Sequence, residues 1–406
     1  MTDTVPLQII GAGPAGMSLI IALCNHIAQS DRSQTGTLKA RSLFDKLVMI
    51  EATDKPGGLM GKYQINANTS SKDVVQGMLE GTVFAELREL YLKLPQTSKD
   101  LIPLSEIDQL MVQPLIRIVR DLLGTRLLLN RPVKQLRIDK EKFESIDLEG
   151  NVISRSDQVV LCCGGRDDVL PELSDYAEKV EGSLQFLLRK NLTALPSGQG
   201  PVVIVGASHS AFSCAWRLLN DPLFSDNLGQ REIFILQRHD AIKVRCTPEF
   251  AKQHQINYDP EADLAASTGL VYSHAGLRKD AKWLYLNIRD GLEKRVKLVN
   301  INHCSDQQGL LGQSALILQA TGFKPDVPIL QIDGKNVNLG KPSANGELFT
   351  LESAERIPGL YGYGLGFNIL PVGKAAGEKS FRGGIHGFQS YPLVVAPQIV
   401  NNLLKE

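Results

Sequence analysis

Residues Gly11-Ala12-Gly13-Pro14-Ala15-Gly16 space three glycines as G-x-G-x-x-G, directly after the apolar run at 6–10 and before a helix-patterned stretch from Met17. That order of strand, turn and helix suits the pyrophosphate of a dinucleotide. Gly11 allows the tight turn, Gly13 keeps a Cβ away from the phosphates, and Gly16 lets helix and strand pack closely. Pro14 and Ala15 fill the turn where the helix N-terminus offers free N–H groups and a partial positive charge. Glu51 ends the next apolar strand (46–51), where a carboxylate accepts hydrogen bonds from ribose hydroxyls. It lies 35 residues after Gly16 rather than the usual ~20, and the polar stretch 27–45 accounts for the excess. Gly57-Gly58 follows, as expected where backbone passes near a ligand.

A second turn of related form stands at Gly206-Ala207-Ser208-His209-Ser210-Ala211. Ser208 still leaves room for backbone approach and can donate to phosphate, and alanine is an accepted substitute at the packing position. His209 is expected beside the phosphates of a nicotinamide cofactor rather than in acid–base chemistry. Arg238 follows the second unit's second strand and is expected where the first unit carries Glu51. An arginine there pairs with a 2′-phosphate that an acid repels, which favours NADP(H) over NAD(H). The competing reading makes Arg238 an exposed loop residue. Ala320-Thr321-Gly322-Phe323 closes a late strand of this unit, as Cys162-Cys163-Gly164-Gly165 closes one in the first.

The elements that must position these turns repeat in order. The first unit reads strand 6–10, helix 17–28, strand 46–51, helices over 73–94 and 105–123, strand-like segments over 133–153, and a buried strand 158–161. Residues 196–200 (PSGQG) form a linker. The second unit reads strand 201–205, a helix to about Asn220, strand 232–237 and strand 315–319. This is an α/β pattern with two nucleotide-binding units.

Composition narrows the class. Over 406 residues, Lys plus Arg total 44 and Asp plus Glu total 44, a balance that argues against nucleic acid as the main ligand. At 43% hydrophobic and 22% charged, the chain can bury large cores. Its six cysteines show no C-x-x-C spacing, and the histidines and carboxylates show no metal-ligand spacing. Cys162 and Cys163 are expected as buried thiols at a strand end. No secretory signal and no apolar run long enough to span a membrane is found, so a soluble, cytoplasmic protein is expected. A homo-oligomer is left open.

Two dinucleotide units in one chain resemble the two-dinucleotide-binding-domain flavoproteins. The resemblance rests on GAGPAG at 11–16, Glu51, Gly57-Gly58, GASHSA at 206–211, ATGF at 320–323 and the Pro358–Tyr361 strand. It implies two Rossmann-like domains, with an NAD(P)H domain (196–325) inserted into a discontinuous FAD domain (1–195 and 326–406), and FAD and NADP(H) as cofactors. The family's usual Gly-Asp after the last strand is absent, so flavin contact near Gly366 falls to backbone groups. Within the superfamily, Asn66-Ala67-Asn68-Thr69-Ser70-Ser71-Lys72 is similar to the Asn-Thr-Ser-Lys segment of flavin-containing monooxygenases. In those enzymes the Asn lies near the reactive face of the flavin, and Asn68 matches it here; the resemblance implies an amide that can hydrogen-bond the oxygenated ring. A capped turn led by Thr69 or Ser70 is the competing reading. No F-x-G-x-x-x-H fingerprint occurs over 166–200, which marks an outlying relative of the class B monooxygenases, N-hydroxylases included.

The resemblance implies a reaction in which NADPH reduces FAD and one atom of molecular oxygen passes to a small organic substrate, an amine or amino acid. Two other readings stand beside it. One is an NAD(P)H-dependent reductase feeding a quinone, a protein or a redox metabolite; the other is a non-catalytic flavin-binding redox sensor. His386, in the glycine-rich stretch 382–387, is either a proton donor near the flavin or a plain loop histidine. Lys243, Arg245, Arg278, Lys279 and Lys282 either bind an anion or form a solvated face.

Overall fold

A computed structural model describes residues 4–30, 42–69, 82, 84, 85, 87–89, 102–139, 142–168, 170–188, 195, 200–367, 369, 376–381 and 395–403. Its frame is two sheets, each built around a strand whose C-terminal end opens into a glycine turn.

The first sheet draws on β1 (Thr4–Ile10), β2 (Leu47–Ile50), β3 (Leu127–Leu128), β4 (Gln135–Asp139), β5 (Lys142–Ile146) and β6 (Val152–Leu161). After the second sheet it gains β16 (Ile329–Ile332), β17 (Lys335–Val337), β18 (Glu347–Phe349) and β19 (Arg356–Gly362). Its parallel core runs β3-β2-β1-β6-β19. The long strand β6 is shared on its other side. Its first half pairs antiparallel with β5, and its last three residues pair with β19 (Leu360 opposite Val159, Gly362 opposite Leu161). Helix α1 (Pro14–Ser30) covers one face, packed against α2 (Gln113–Leu123) and α6 (Ala396–Leu403). Leu7, Ile9, Leu47 and Met49 point into this layer, while Leu136, Phe143, Val159 and Leu161 fill the opposite face.

The second sheet is all parallel, in the order β13-β10-β9-β14-β8: β13 (Val296–Asn300), β10 (Ile233–Gln237), β9 (Val202–Val205), β14 (Leu316–Gln319) and β8 (Val180–Gly182). Its three inner strands, β10, β9 and β14, are short, largely buried apolar runs, as parallel sheets covered by helices require. Helices α3 (Ser183–Leu188), α4 (His209–Asn220) and α5 (Lys279–Arg289) lie on it. All five strands fall between residues 180 and 319, so the first sheet is interrupted and then resumed. The edge strand β8 enters this sheet ahead of the linker at 196–200, because Ile317 to Gln319 of β14 pair with Val180 to Gly182.

The chain leaves and returns through one ribbon, β7 (Gly165–Asp167) antiparallel to β15 (Phe323–Pro325). Between β10 and α5 it makes a long excursion with its own small cluster (Cys246, Ala251, Val271, Tyr272) and a hairpin of β11 (Leu264–Ala265) and β12 (Leu270–Val271). Among the described residues, no helix is long and apolar enough to cross a membrane.

The helix expected over 105–123 forms in three pieces: an α-turn at Leu104–Ile107, a π-helical stretch at Asp108–Val112, and α2. The buried Asp108 carboxylate accepts from Gln113 Nε2 at 3.0 Å within this widened turn, and burial holds its pKa above the ordinary value. Most of the helix expected over 73–94 lies outside the described residues.

Candidate functional site

In each sheet the central strand is the point where connections diverge to left and right, with β1 between β2 and β6, and β9 between β10 and β14. Open α/β sheets bind ligands at this switch point, beyond the carboxyl ends of the strands. Both glycine turns stand there.

At the first turn, Gly11 N donates to Ile50 O at 2.8 Å, and Cys162 N donates to Ile10 O at 2.7 Å. Gly11 has φ +106°, and a Cβ on it would sit 2.2 Å from Cys162 O, so only glycine fits. A Cβ on Gly16 would meet Gly11 O at 2.3 Å, which is the close helix–strand approach the third glycine serves. Helix α1 begins at Pro14, and its first i→i−4 bond is Met17 N to Gly13 O at 3.0 Å. The amides of Ala15 and Gly16 therefore have no acceptor within the helix. Gly57 N reaches Ala12 O at 2.8 Å, and a Cβ on Gly58 would fall 3.2 Å from both Gly13 Cα and Pro14 Cδ. Gly364, just beyond β19, meets Ala15 in the same way, at 2.9 Å. Gly366 has φ +95° and packs against Pro325 of the return ribbon.

Glu51 is buried beside this turn, and its carboxylate already has local donors. Oε2 accepts from Ala12 N at 2.9 Å; Oε1 accepts from Thr53 N at 3.0 Å and Thr53 Oγ1 at 2.9 Å. A carboxylate offers about four lone-pair positions, so one remains for a ribose hydroxyl. A second opens if Thr53 Oγ1 turns wholly to Lys55 O, its other acceptor at 2.9 Å. The free amides, the Cβ-free approach and the spare acceptor fit a dinucleotide at this turn.

The second turn copies the first. Gly206 N donates to Leu236 O at 3.0 Å, Ala320 N donates to Val205 O at 2.8 Å, and a Cβ on Gly206 (φ +115°) would lie 2.3 Å from Ala320 O. The first i→i−4 bond of α4 is Phe212 N to Ser208 O, which leaves the amides of His209, Ser210 and Ala211 without helical acceptors. Ser208 is the N-cap, yet its hydroxyl makes no cap bond. Thr321 and Gly322 stand exposed at the end of β14, with Thr321 Oγ1 accepting from Gln319 Nε2 at 3.2 Å.

The register corrects one expectation. Ile50 and Leu236 play the same part toward Gly11 and Gly206, so the residue equivalent to Glu51 is Gln237, not Arg238. Side chains alternate along a strand, so Gln237 shares the α4 face with Ile233 and Ile235. It is 8% exposed, and its Oε1 has no hydrogen-bond partner among the described residues. Arg238 is exposed one residue further on.

His209 Nε2 donates to Gly276 O, 3.1 Å away. Burial, reinforced by the Arg278 charge, pushes its pKa down to about 4, so the ring is neutral at pH 7 and brings no charge to a phosphate.

A strap over residues 63–68 joins the two units. Ala67 N donates to Ile102 O and Leu104 N to Ile65 O, both inside the first unit. Tyr63 and Ile65 pack on the second unit's core, Gln64 N donates to Leu187 O of α3, and Asn66 Nδ2 donates to Asp280 Oδ2 of α5 at 2.9 Å. Between the strap and helices α4 and α5 lies a small, open cleft lined by Asn66, Asn68, His209, Ser213, Trp216 and Lys279, among others. Asn68 is exposed there, and its Oδ1 accepts from Thr69 Oγ1 at 3.2 Å. Lys279 opens α5 with φ +48°, a strained conformation for a side-chain-bearing residue. Asp280, Ser213 and Trp216 carry no motif, and only their meeting in space with Asn66 and Asn68 of the 66–72 segment marks them. His386 lies outside the described residues, as do Ser70 and the helix start expected at Asp73.

All six cysteines are free. Burial pushes the thiols of Cys24, Cys162, Cys163 and Cys214 well up, Cys163 to about 12.

No protein-family model and no curated protein sequence matches the chain. Solved structures do. The reduced form of an ornithine hydroxylase from Pseudomonas aeruginosa is 12% identical, with 99% of this chain and 100% of that one covered at a TM-score of 0.55. An FAD-bound cadaverine monooxygenase from the desferrioxamine pathway of Erwinia amylovora is 14% identical, covering 100% and 94%, TM-score 0.53. A bacillithiol disulfide reductase from Staphylococcus aureus is 13% identical, covering 98% and 99%, TM-score 0.53. The chain has the fold of the class B flavin-dependent monooxygenases. The disulfide reductase is built on the same plan, so the fold is common to two chemistries.

Proposed function

We propose that the protein is an FAD-dependent oxidoreductase that takes reducing equivalents from NADPH and acts as a monooxygenase on a small organic substrate. The observation that carries this reading is the strap, which follows the Gly57-Gly58 turn beside the first glycine motif and borders a cleft walled by the second. Gly11, Gly13, Gly16 and the amides of Ala15 and Gly16 would hold the FAD pyrophosphate, and Glu51 one ribose hydroxyl. Gly206, Ser208 and Ser210 would do the same for NADPH, with Thr321 and Gly322 beside it. Gln237 carries no charge to repel a 2′-phosphate, and Arg238 is free in the next position to pair with one. FAD, when bound, supplies acceptance of hydride from NADPH and the activation of dioxygen. The domain division follows the sheets, with the NADPH unit carried between two parts of the FAD unit.

Within the cleft, the exposed Asn68 amide can donate to an oxygen atom while its own carbonyl is held by Thr69. Asn66 keeps the strap in place through Asp280. Substrate orientation falls to the Trp216 face, Ser213 and the Lys279 charge. An amine or amino acid remains the substrate class proposed, by analogy with the hydroxylases of the same fold. A thiol-disulfide relay is less well supported, because burial keeps the thiols of Cys24, Cys162, Cys163 and Cys214 protonated near neutral pH and therefore poor nucleophiles.

The purified protein is expected to be yellow and to bleach anaerobically with NADPH. In air, NADPH oxidation should be coupled to incorporation of labelled oxygen into a substrate. Asn68→Ala should leave anaerobic reduction intact and divert at least about tenfold more of the NADPH oxidised into hydrogen peroxide, the loss of one good hydrogen bond. Unchanged coupling would return Asn68 to a turn-forming role. Peroxide formed in full stoichiometry by the wild type, with every amine tried, would favour the reductase reading.

A further inference from the structure

The segment 376–381, which follows the last strand of the first sheet, reaches across to the excursion between β10 and α5. Glu378 is its centre. This carboxylate is 3% exposed and takes its hydrogen bonds from backbone. Oε1 accepts from Ala275 N at 2.8 Å, and Oε2 accepts from His274 N at 3.0 Å. Around it, Ser380 N donates to Ala262 O at 2.8 Å and Ser267 Oγ to Ala376 O at 2.6 Å. The His274 and Phe381 rings lie 5.5 Å apart, and Gly377 sits where any Cβ would strike the His274 ring. Hydrogen bonds to an ionised acceptor in a dry setting are the strong ones, so this is a firm joint.

The clamped loop leads straight to the second glycine turn. Gly276, next in sequence, offers its carbonyl to His209 Nε2, and Arg278 Nη2 donates back to Ser273 O at 2.7 Å. His209 is the first residue of α4, whose N-terminal amides face the cofactor phosphates in the function proposed above. Residues 278–281 continue from the same loop into the cleft wall. The first unit thus grips the wall twice, through Asn66 on Asp280 and through Glu378 on His274 and Ala275.

We propose that Glu378 is a positioning residue: by holding the 273–276 loop it sets His209 and the N-terminus of α4 for binding the nicotinamide dinucleotide. The inference rests on reading the second turn as an NADPH site. Two measurements test it on the purified, flavin-loaded chain. In wild type the amides of His274 and Ala275 should exchange slowly with deuterium. In Glu378→Ala they should exchange at least about tenfold faster, as expected for losing charge-assisted hydrogen bonds. Glu378→Gln should fall between, since its carbonyl can still serve one amide while its NH₂ confronts the other; it also carries the test if the alanine variant does not fold. Calorimetric titration with NADP⁺ should show the dissociation constant rising about tenfold in Glu378→Ala, with FAD content unchanged and partial recovery in Glu378→Gln. Unchanged exchange would overturn the clamp, and faster exchange with unchanged NADP⁺ affinity would overturn the positioning role. A wild type that ignores NADP⁺ would instead overturn the functional reading, with the exchange data still judging the joint.

Discussion

The two glycine turns are built on one plan and diverge where their ligands are recognised. In both, a positive-φ glycine donates to the neighbouring strand and lies within 2.3 Å, by its missing Cβ, of a carbonyl on the strand across the switch point. Behind that shared backbone the residues part. The first turn needs Gly16 because a Cβ there would strike Gly11 O at 2.3 Å; the second carries Ala211, fully buried at the matching position. Proline at the head of α1 leaves two free amides, whereas α4 offers three. Glu51 is held by Ala12 and Thr53, while Gln237 is buried with an open carbonyl. Backbone geometry thus makes the cradle, and one side chain at the strand end distinguishes the guest.

The largest effect should come from attacking what the turns share. Gly11→Ala and Gly206→Ala each force a Cβ into a carbonyl at positive φ, and each should lower unfolding free energy by roughly 2–4 kcal/mol in denaturant titration. Gly16→Ala should behave alike. Ala211→Gly, its mirror in the second turn, should cost only about 1 kcal/mol. Similar losses at Gly16 and Ala211 would mean that the two helices approach their strands equally closely.

A middle-sized effect should follow from exchanging what differs. Gln237→Glu gives the second turn the acid of the first, and should reduce the preference for NADPH over NADH in kcat/KM by about tenfold or more. Arg238→Ala should move the same ratio in the same direction, through the Michaelis constant for NADPH. If only Arg238 matters, the strand-end position has no part in selectivity.

The last contrast is confined to acid pH and concerns His209. Its folded-state pKa near 4 lies below the unfolded value of 6.5, so between these pH values the unfolded chain binds the extra proton. Stability from this group is present above pH 6.5 and is lost as pH falls toward 4, with a slope of at most about 1.4 kcal/mol per pH unit. His209→Gln should flatten the stability curve over that interval relative to wild type. An unchanged slope would place the titration elsewhere and leave the two turns alike in their insensitivity to acid.

Much of the fold was legible because its signals are local. The glycine spacings, the apolar strands ahead of them and the late strands closed by glycine all report backbone requirements, and each turn formed where its residues stand. The site was legible only in part. Sequence alone favours Arg238 over Gln237, since an arginine advertises phosphate and a glutamine does not; the hydrogen bonds of Gly11 and Gly206 resolve the register. Glu51 was identified, but its bonds to Ala12 and Thr53 could not be read from spacing.

The chain by itself determined the two cradles, because a turn that excludes a Cβ demands glycine at a fixed place whatever surrounds it. Tertiary structure decided the cleft. Asn66 and Asp280 are 214 residues apart, and Glu378 and Ala275 are 103 apart; Asp280, Glu378 and Ala275 belong to no local pattern. Such pairs are selected by the packing of one unit on the other, and short-range periodicity carries no record of that choice.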